Sequence, residues 1–263
     1  MQILQKGEYT GEIVLSKQIE GSTLSHTQYA QNKGNPDWHC HENLHICFVF
    51  QGGKSETKKA QQYTEKDGSI FFYHAEETHR WISPNAISKS ANIEIAPAFL
   101  KTYQLSESGI KRALYNNINA KALILKMQQE LLAGENEPQS YLLSLLLELL
   151  SSQKEERNNK PEWVPKLKDL LHDSWNEKLS LSEMARLLHL HPITISKNFR
   201  KYFHCTLGEY QRKLKINHSI PLIKNSEMSL TEIAMHCGFS DQSHFIRNFK
   251  HATGFLPRHF QKF

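Results

Sequence analysis

Two groups of side chains in this sequence carry chemistry beyond packing. Near the C-terminus, polar and basic residues gather in two short runs: Ile193, Thr194, Ser196, Lys197 and Arg200, then Gln242, Ser243, His244, Arg247 and Lys250. Arginine pairs bidentately with guanine and glutamine with adenine, while other lysines and arginines grip phosphate without reading sequence. The second group lies nearer the N-terminus: His39, His41, His45 and His79, accompanied by Trp38, Phe48, Phe72, Tyr73 and Trp81. Imidazole nitrogens bind divalent metals through a lone pair. They also serve as the few polar groups of an otherwise apolar ligand pocket.

The elements that must hold these residues change character along the chain. Up to about Phe99 it reads as β-rich, with short apolar runs at Ile46–Phe50, Ile70–Tyr73 and Ile93–Ile95. Turn-forming pairs separate them: Asn35-Pro36, Gly52-Gly53, Asp67-Gly68 and Pro84-Asn85. Such spacing predicts a small sandwich or barrel. From about Lys101 the pattern becomes helical. Leu123, Ile124, Met127, Leu131 and Leu132 recur at helical spacing, and Gly134 through Pro138 makes a break. The next helix, Ser140 to Ser152, is leucine on nearly every side and must be buried, within its own chain in preference to a dimer interface. The polar run from Ser151 to Pro161 reads as a linker.

Composition sets outer bounds. Hydrophobic content of 39% and charged content of 22% are those of a globular protein. No run approaches the roughly 18–20 apolar residues that span a bilayer, and the first residues lack a secretory pattern. Cys40, Cys47, Cys205 and Cys237 are scattered, which argues against a disulfide framework or zinc finger and fits a reducing cytoplasm. From Trp163 onward there are 15 Lys/Arg against 8 Asp/Glu, whereas the preceding 162 residues hold 17 against 19. Positive charge is thus confined to the C-terminal part, as a phosphate-binding module requires.

That part contains an internal repeat. Leu181, Ala185, Ile195, Phe199, His204, Leu207 and Tyr210 match Leu230, Ala234, Phe245, Phe249, Gly254, Pro257 and Phe260, at an offset of 49 residues before the turn and 50 after it. Each copy shows a short amphipathic helix, a tight turn and a helix rich in polar and basic residues. The small residue, Ala185 or Ala234, lets the second helix pack closely, and Gly238 supplies the left-handed conformation of the turn. Phe239 packs beneath that turn, with Ser240 or Asp241 as N-cap. On the second helices Ile195, Phe199, Phe245 and Phe249 point inward, and the polar runs named above point outward. Two such pairs reach successive major grooves about 34 Å apart.

The segment Leu230-Thr231-Glu232-Ile233-Ala234-Met235-His236-Cys237-Gly238-Phe239-Ser240-Asp241-Gln242-Ser243-His244-Phe245, with Phe249-Lys250 and Thr253-Gly254-Phe255-Leu256-Pro257, resembles the signature of the AraC/XylS family of regulators. The resemblance spans about Leu179 to Phe260. It implies base-facing roles for Ile193, Ser196 and Lys197 in the first unit and for Gln242, Ser243 and Arg247 in the second, with Arg200 and Lys250 on phosphate. The first copy departs from the pattern: His189 and His204 replace glycines and His191 replaces the N-cap serine. In the connecting helix Lys215 and Ser219 replace arginine and alanine, and Pro221 is expected to kink or break the helix.

The stretch Trp38-His39-Cys40-His41-Glu42-Asn43-Leu44-His45, ending at Gly52, resembles the first cupin motif, with His45 in the glutamate slot. Gly68, His74, Glu76 and His79 resemble the second. The resemblance implies a barrel in which the four histidines could converge. A metal-dependent oxygenase would use such a site with an open coordination position. Attachment to a DNA-binding module points instead to sensing. His39, His41, His45, His79 and Trp81 are therefore expected to line a ligand pocket, with no metal, cofactor or catalytic residue assigned.

The resulting expectation is a multidomain chain: an all-β cupin-like barrel sensor (1–100), a helical connector and candidate dimerisation region (101–160), and an all-α double helix-turn-helix domain (161–263). It acts as a cytoplasmic, sequence-specific transcription regulator rather than an enzyme. Its partners are double-stranded DNA, an unidentified small-molecule effector and no membrane; RNA polymerase contact and a homodimer suit the architecture. A cupin metalloenzyme fused to a nucleic-acid-binding module is the alternative, and an architectural DNA binder a third.

Overall fold

The computed structural model describes residues 1–30, 35–52, 55–58, 61–64, 66–82, 87–134, 139–151, 160–177 and 179–263. The expected turn at Pro84-Asn85, Gly53 of the Gly52-Gly53 turn, residues 135–138 of the helical break and most of the Ser151–Pro161 linker lie outside the described residues.

Described strands form two five-stranded sheets. One holds β1 (Gln2–Leu4), β4 (Asn35–His41), β9 (His79–Ile82), β6 (Ser55–Lys58) and β7 (Gln61–Thr64) in that order; the other holds β2 (Glu12–Ile19), β3 (Ser22–Tyr29), β10 (Ser88–Ile95), β5 (Leu44–Gln51) and β8 (Ile70–Tyr73). Every pairing is antiparallel except β1 with β4. All three predicted apolar runs are strands. Asn35-Pro36 corrects the turn expectation, because it opens β4. Proline, lacking a donor, is tolerated at the start of a strand.

Strand period explains the interior. On β5, Ile46, Phe48 and Phe50 are fully buried and share one face, while His45 and Cys47 share the other and line an internal cavity. The same alternation brings His39 and His41 of β4 and His79 and Trp81 of β9 into that cavity.

After the strands come α1 (Pro97–Thr102), α2 (Glu107–Asn116), α3 (Ala120–Ala133) and α4 (Gln139–Leu150). Leu142, Leu145, Leu146, Leu149 and Leu150 of α4 are buried against α2, α3 and β2, so this leucine helix is covered by its own chain. Gly134 ends α3 at φ 87°.

The chain packs as two compact units: Met1–Gln153 with Thr253–Phe263, and Lys154–Ala252. The first therefore takes in the connector helices and α11 (Pro257–Lys262) as well as the strands. The second holds α5 (Trp163–Asp173), α6 (Leu181–Leu187), α7 (Pro192–Phe203), α8 (Leu207–Asn225), α9 (Leu230–His236) and nearly all of α10 (Gln242–Thr253). Helices α6, α8 and α9 each start on a capping box: Ser180 with Glu183, Thr206 with Glu209, and Ser229 with Glu232. Each box satisfies two backbone donors that a helix start leaves open. Helix α8 runs unbroken through Pro221 to Asn225, so the expected break does not occur. Packing of Ser219, Ile220 and Ile223, all buried around the proline, holds the helix where local propensity opposes it.

Candidate functional site

The two copies of the repeat bury the same anchor positions. Pairs α6–α7 and α9–α10 each place an alanine at the helix crossing, Ala185 and Ala234, both buried. On α7, Ile195 and Phe199 are buried, while Ile193, Ser196, Lys197 and Arg200 are exposed and Thr194 is half-buried. On α10, Phe245 and Phe249 are buried, Ser243, Arg247 and Lys250 are exposed, and Gln242 and His244 are half-buried. Even an unremarked detail repeats: Asn198 donates to the Thr194 carbonyl and Asn248 to that of His244, each at 2.8 Å. Gln242 is partly engaged already, its Oε1 accepting from the Thr231 hydroxyl at 2.9 Å. Arg247 is exposed, and its charge helps to hold the Asp241 carboxyl below its usual range.

The turns differ in quality. In the second unit Gly238 takes φ 70°, and a Cβ there would lie 2.8 Å from the Asn176 carbonyl oxygen. Lys215, standing where the resemblance has arginine, donates from Nζ to the Gly238 carbonyl at 2.7 Å and lies over the Phe239 ring. Asp241 rather than Ser240 caps α10, its Oδ1 accepting from the His244 amide at 2.7 Å, while Ser240 donates to Asp241 Oδ2. In the first unit His189 and His204 occupy left-handed backbone at φ 53° and 56°. His191 caps α7 through Nδ1, accepting from the Ile193 amide at 3.3 Å, a longer bond than the Asp241 cap.

The second site is the barrel cavity. His39, His41 and His79, all buried, each bring a ring nitrogen within 4.8 Å of the others. His45 lies beside them, its ring centroid 4.2 Å from that of His41, but its Nε2 is committed to Asn92 Oδ1 at 2.9 Å. Asn92 is oriented in turn by donating to Thr27 at 2.8 Å. His39 Nδ1 faces the Asp37 carbonyl at 3.3 Å and His79 Nδ1 the Glu77 carbonyl at 3.0 Å. A carbonyl only accepts, so Nδ1 carries the proton in both rings and Nε2 keeps its lone pair. Burial, reinforced by the neighbouring histidines, holds His41 far below the usual imidazole range. Burial and then His39 push His79 down to about 3. The His41 and His79 rings are therefore neutral near pH 7.

Of the aromatics suggested by the sequence, Tyr73 and Trp81 line the cavity. Phe48 and Phe72 are buried away from it, and Trp38 is partly exposed under Arg80. Sequence reasoning missed Glu56, Cys47 and Asn92. The register pairs Glu56 with Trp81 and Asn92 with Cys47, so strand pairing would have found them. Glu56 is 1% exposed, a buried carboxylate on the cavity wall.

Two family models match the chain. The family model described as the AraC-like ligand binding domain matches residues 21–151, and that described as a helix-turn-helix domain matches residues 184–262. The chain belongs to the AraC family of transcription regulators. It is 23% identical over 246 residues to the HTH-type transcriptional activator RhaR of Enterobacter sp., covering 83% of this chain and 84% of that one. It is 26% identical over 239 residues to the Msm operon regulatory protein of Streptococcus mutans, covering 84% of each. Among solved structures, ToxT from Vibrio cholerae aligns over 92% of this chain and 98% of its own at 14% identity and a TM-score of 0.38. The AraC-family chain thus joins a sheet-rich ligand-binding domain to a helix-turn-helix DNA-binding domain. No helix among the described residues is long and apolar enough to cross a membrane.

Proposed function

We propose that this AraC-family chain reads two adjacent major-groove segments through α7 and α10, with a ligand in the barrel cavity setting how well it does so. The observation that carries the reading is the repeated burial register, which leaves Ser196, Lys197 and Arg200 on one second helix and Ser243, Arg247 and Lys250 on the other exposed. Arg247 is the principal base reader, bidentate to guanine, and Gln242 reads adenine once released from Thr231. Ile193, Thr194, Ser196, Lys197, Ser243 and His244 complete the groove-facing surface, and Arg200 and Lys250 neutralise phosphate.

The division of labour follows the sequence expectation: a sensor from 1 to 100, a connector from 101 to 160 and a reader from 161 to 263. The barrel senses rather than catalyses, in keeping with relatives that are transcription regulators. The four cysteines are buried and form no disulfide, which suits action in the cytoplasm.

Selection from a random duplex library at near-physiological salt tests the reading. Two enriched blocks about one helical turn apart are expected. Arg247→Ala should relax one block and cost about 1–3 kcal/mol, whereas Lys250→Ala should weaken all sequences alike and reduce the salt slope by about one. Enrichment of no sequence by the full-length protein, with and without candidate ligands, would refute it.

A further inference from the structure

The cap of α10 constrains more than the start of a helix. Asp241 accepts the His244 amide on one carboxylate oxygen, at 2.7 Å, and the Ser240 hydroxyl on the other, at 3.0 Å. The amide first and the hydroxyl second hold this carboxyl below its usual range. Near neutral pH it is therefore ionised and can only accept. Ser240 supplies the proton of their bond, and a hydroxyl has only one to give. Donation to a carboxylate is also about twice as strong as donation to a neutral acceptor. The same Ser240 Oγ lies 3.1 Å from His244 Nδ1, one helical turn further on. With its hydrogen committed to Asp241, Ser240 meets the ring as an acceptor, so His244 Nδ1 donates.

That assignment fixes the other side of the ring. A neutral imidazole carries one N–H and one lone pair, and the bond made by one nitrogen sets the state of the other. With the proton on Nδ1, Nε2 is an acceptor. It has no hydrogen-bond partner among the described residues. The half-buried ring stands edge-on to Phe239, with centroids 5.5 Å apart. His244 precedes Arg247 by three residues, a spacing that makes the two side chains neighbours on a helix surface. Arginine only donates. The two neighbours thus offer opposite halves of a hydrogen bond.

We infer that Ser240, held by Asp241, makes His244 an acceptor that reads an exocyclic base amine in the operator block facing α10. In the major groove those amines are N4 of cytosine and N6 of adenine, whereas guanine offers the two acceptors that suit Arg247. Ser240 and Asp241 are positioning residues: without meeting a base themselves, they decide which hydrogen-bonding group His244 offers. The opposite tautomer would present an N–H and repeat the preference of Arg247 for acceptors. The inference rests on the reading of bases by α10 proposed above.

Nitrogen-15 NMR of the full chain with labelled histidine reads the tautomer, at about pH 8 where imidazole is ordinarily neutral; His244→Gln identifies the signals. The His244 proton should sit on Nδ1 in the wild type and lose that bias in Ser240→Ala. Duplex selection with the wild type and His244→Ala then finds the base pair at which the variant relaxes, by about 2–10-fold for one neutral hydrogen bond. Replacing the adenine of that pair by purine, or its cytosine by 2-pyrimidinone, deletes the exocyclic amine alone. The deletion should weaken the wild type by the same factor and His244→Ala hardly at all. Ser240→Ala should lose part of that factor and keep its Arg247-dependent preference. A wild-type ring protonated on Nε2 overturns the inference whether or not Ser240→Ala folds. So does a selection that His244→Ala leaves unchanged, or an amine deletion that costs the wild type and His244→Ala alike. Any of these beside Arg247-dependent selection removes the His244 assignment alone, whereas failure to select any sequence removes the reader with it.

Discussion

Replacing His189 or His204 by glycine should stabilise the protein, although both replacements delete a side chain. Each histidine sits in left-handed backbone, at φ 53° and 56°, and each side chain is exposed. That conformation costs an L-residue about 1–2 kcal/mol, because Cβ crowds the following carbonyl. Glycine escapes this penalty but loses about 0.5–1 kcal/mol through its more flexible unfolded chain. The net gain is about 0.5–1 kcal/mol per site, or about 4–8 °C of Tm per kcal/mol in a transition of 60–100 residues. Gly238→Ala is the reverse experiment. Its positive φ, together with a Cβ 2.8 Å from the Asn176 carbonyl, should cost more than the histidine sites return. Differential scanning calorimetry on the full chain reads all three. A lower Tm for both histidine-to-glycine variants, or no loss for Gly238→Ala, would refute the turn reasoning.

Three further outcomes follow from particular contacts. Lys215→Met keeps the apolar stem but removes the 2.7 Å bond to the Gly238 carbonyl; a loss of about 1–3 kcal/mol is expected in chemical denaturation, and an unchanged midpoint would show the bond to be idle. The carboxylates of Glu183, Glu209, Glu232 and Asp241 lie below their usual range, chiefly through hydrogen bonds from the helix starts they cap. Because the folded values are depressed, their stabilisation is complete above the unfolded values near about 4 and fades as pH falls through the folded ones. Glu232→Gln should therefore flatten the decline of Tm below about pH 4.5, and an identical acid slope would count against the linkage. Leu146→Ala, at a fully buried position of α4, should cost about 2–5 kcal/mol; a cost below about 1 kcal/mol would mean that α4 is not part of this core.

Much of this was legible in the residues, and the boundary has physical causes. The paired helices showed because their periodicity is local: an alanine and two apolar anchors recur at an offset of about fifty residues. The sheet region showed as strands but not as an order of strands, since pairing Glu56 with Trp81 or Cys47 with Asn92 is non-local. For the same reason the four histidines looked equivalent. Only the register reveals Asn92 opposite Cys47, where it can engage His45 Nε2, while the other three bring ring nitrogens within 4.8 Å of one another. Helix α8 continues past Pro221 because tertiary packing around it, which a single residue's propensity does not include, opposes the break.

The two reader units show which kind of information dominates. Their turns and caps differ: glycine against histidine at the turn, a 2.7 Å aspartate cap against a 3.3 Å histidine cap. The buried anchors of their second helices nonetheless coincide, Ile195 with Phe245 and Phe199 with Phe249. Burying a large apolar side chain contributes about 1.5–3 kcal/mol, so Ile195 and Phe199 together outweigh the cost of two left-handed histidines. The anchors therefore fix which face of α7 remains exposed, and the turn residues adjust how rigidly it is held. A first unit with weaker local restraints but the same exposed face should keep its contact residues while tolerating more variation in groove geometry than the second. The block of operator sequence read by α7 is accordingly expected to be the less stringent of the two.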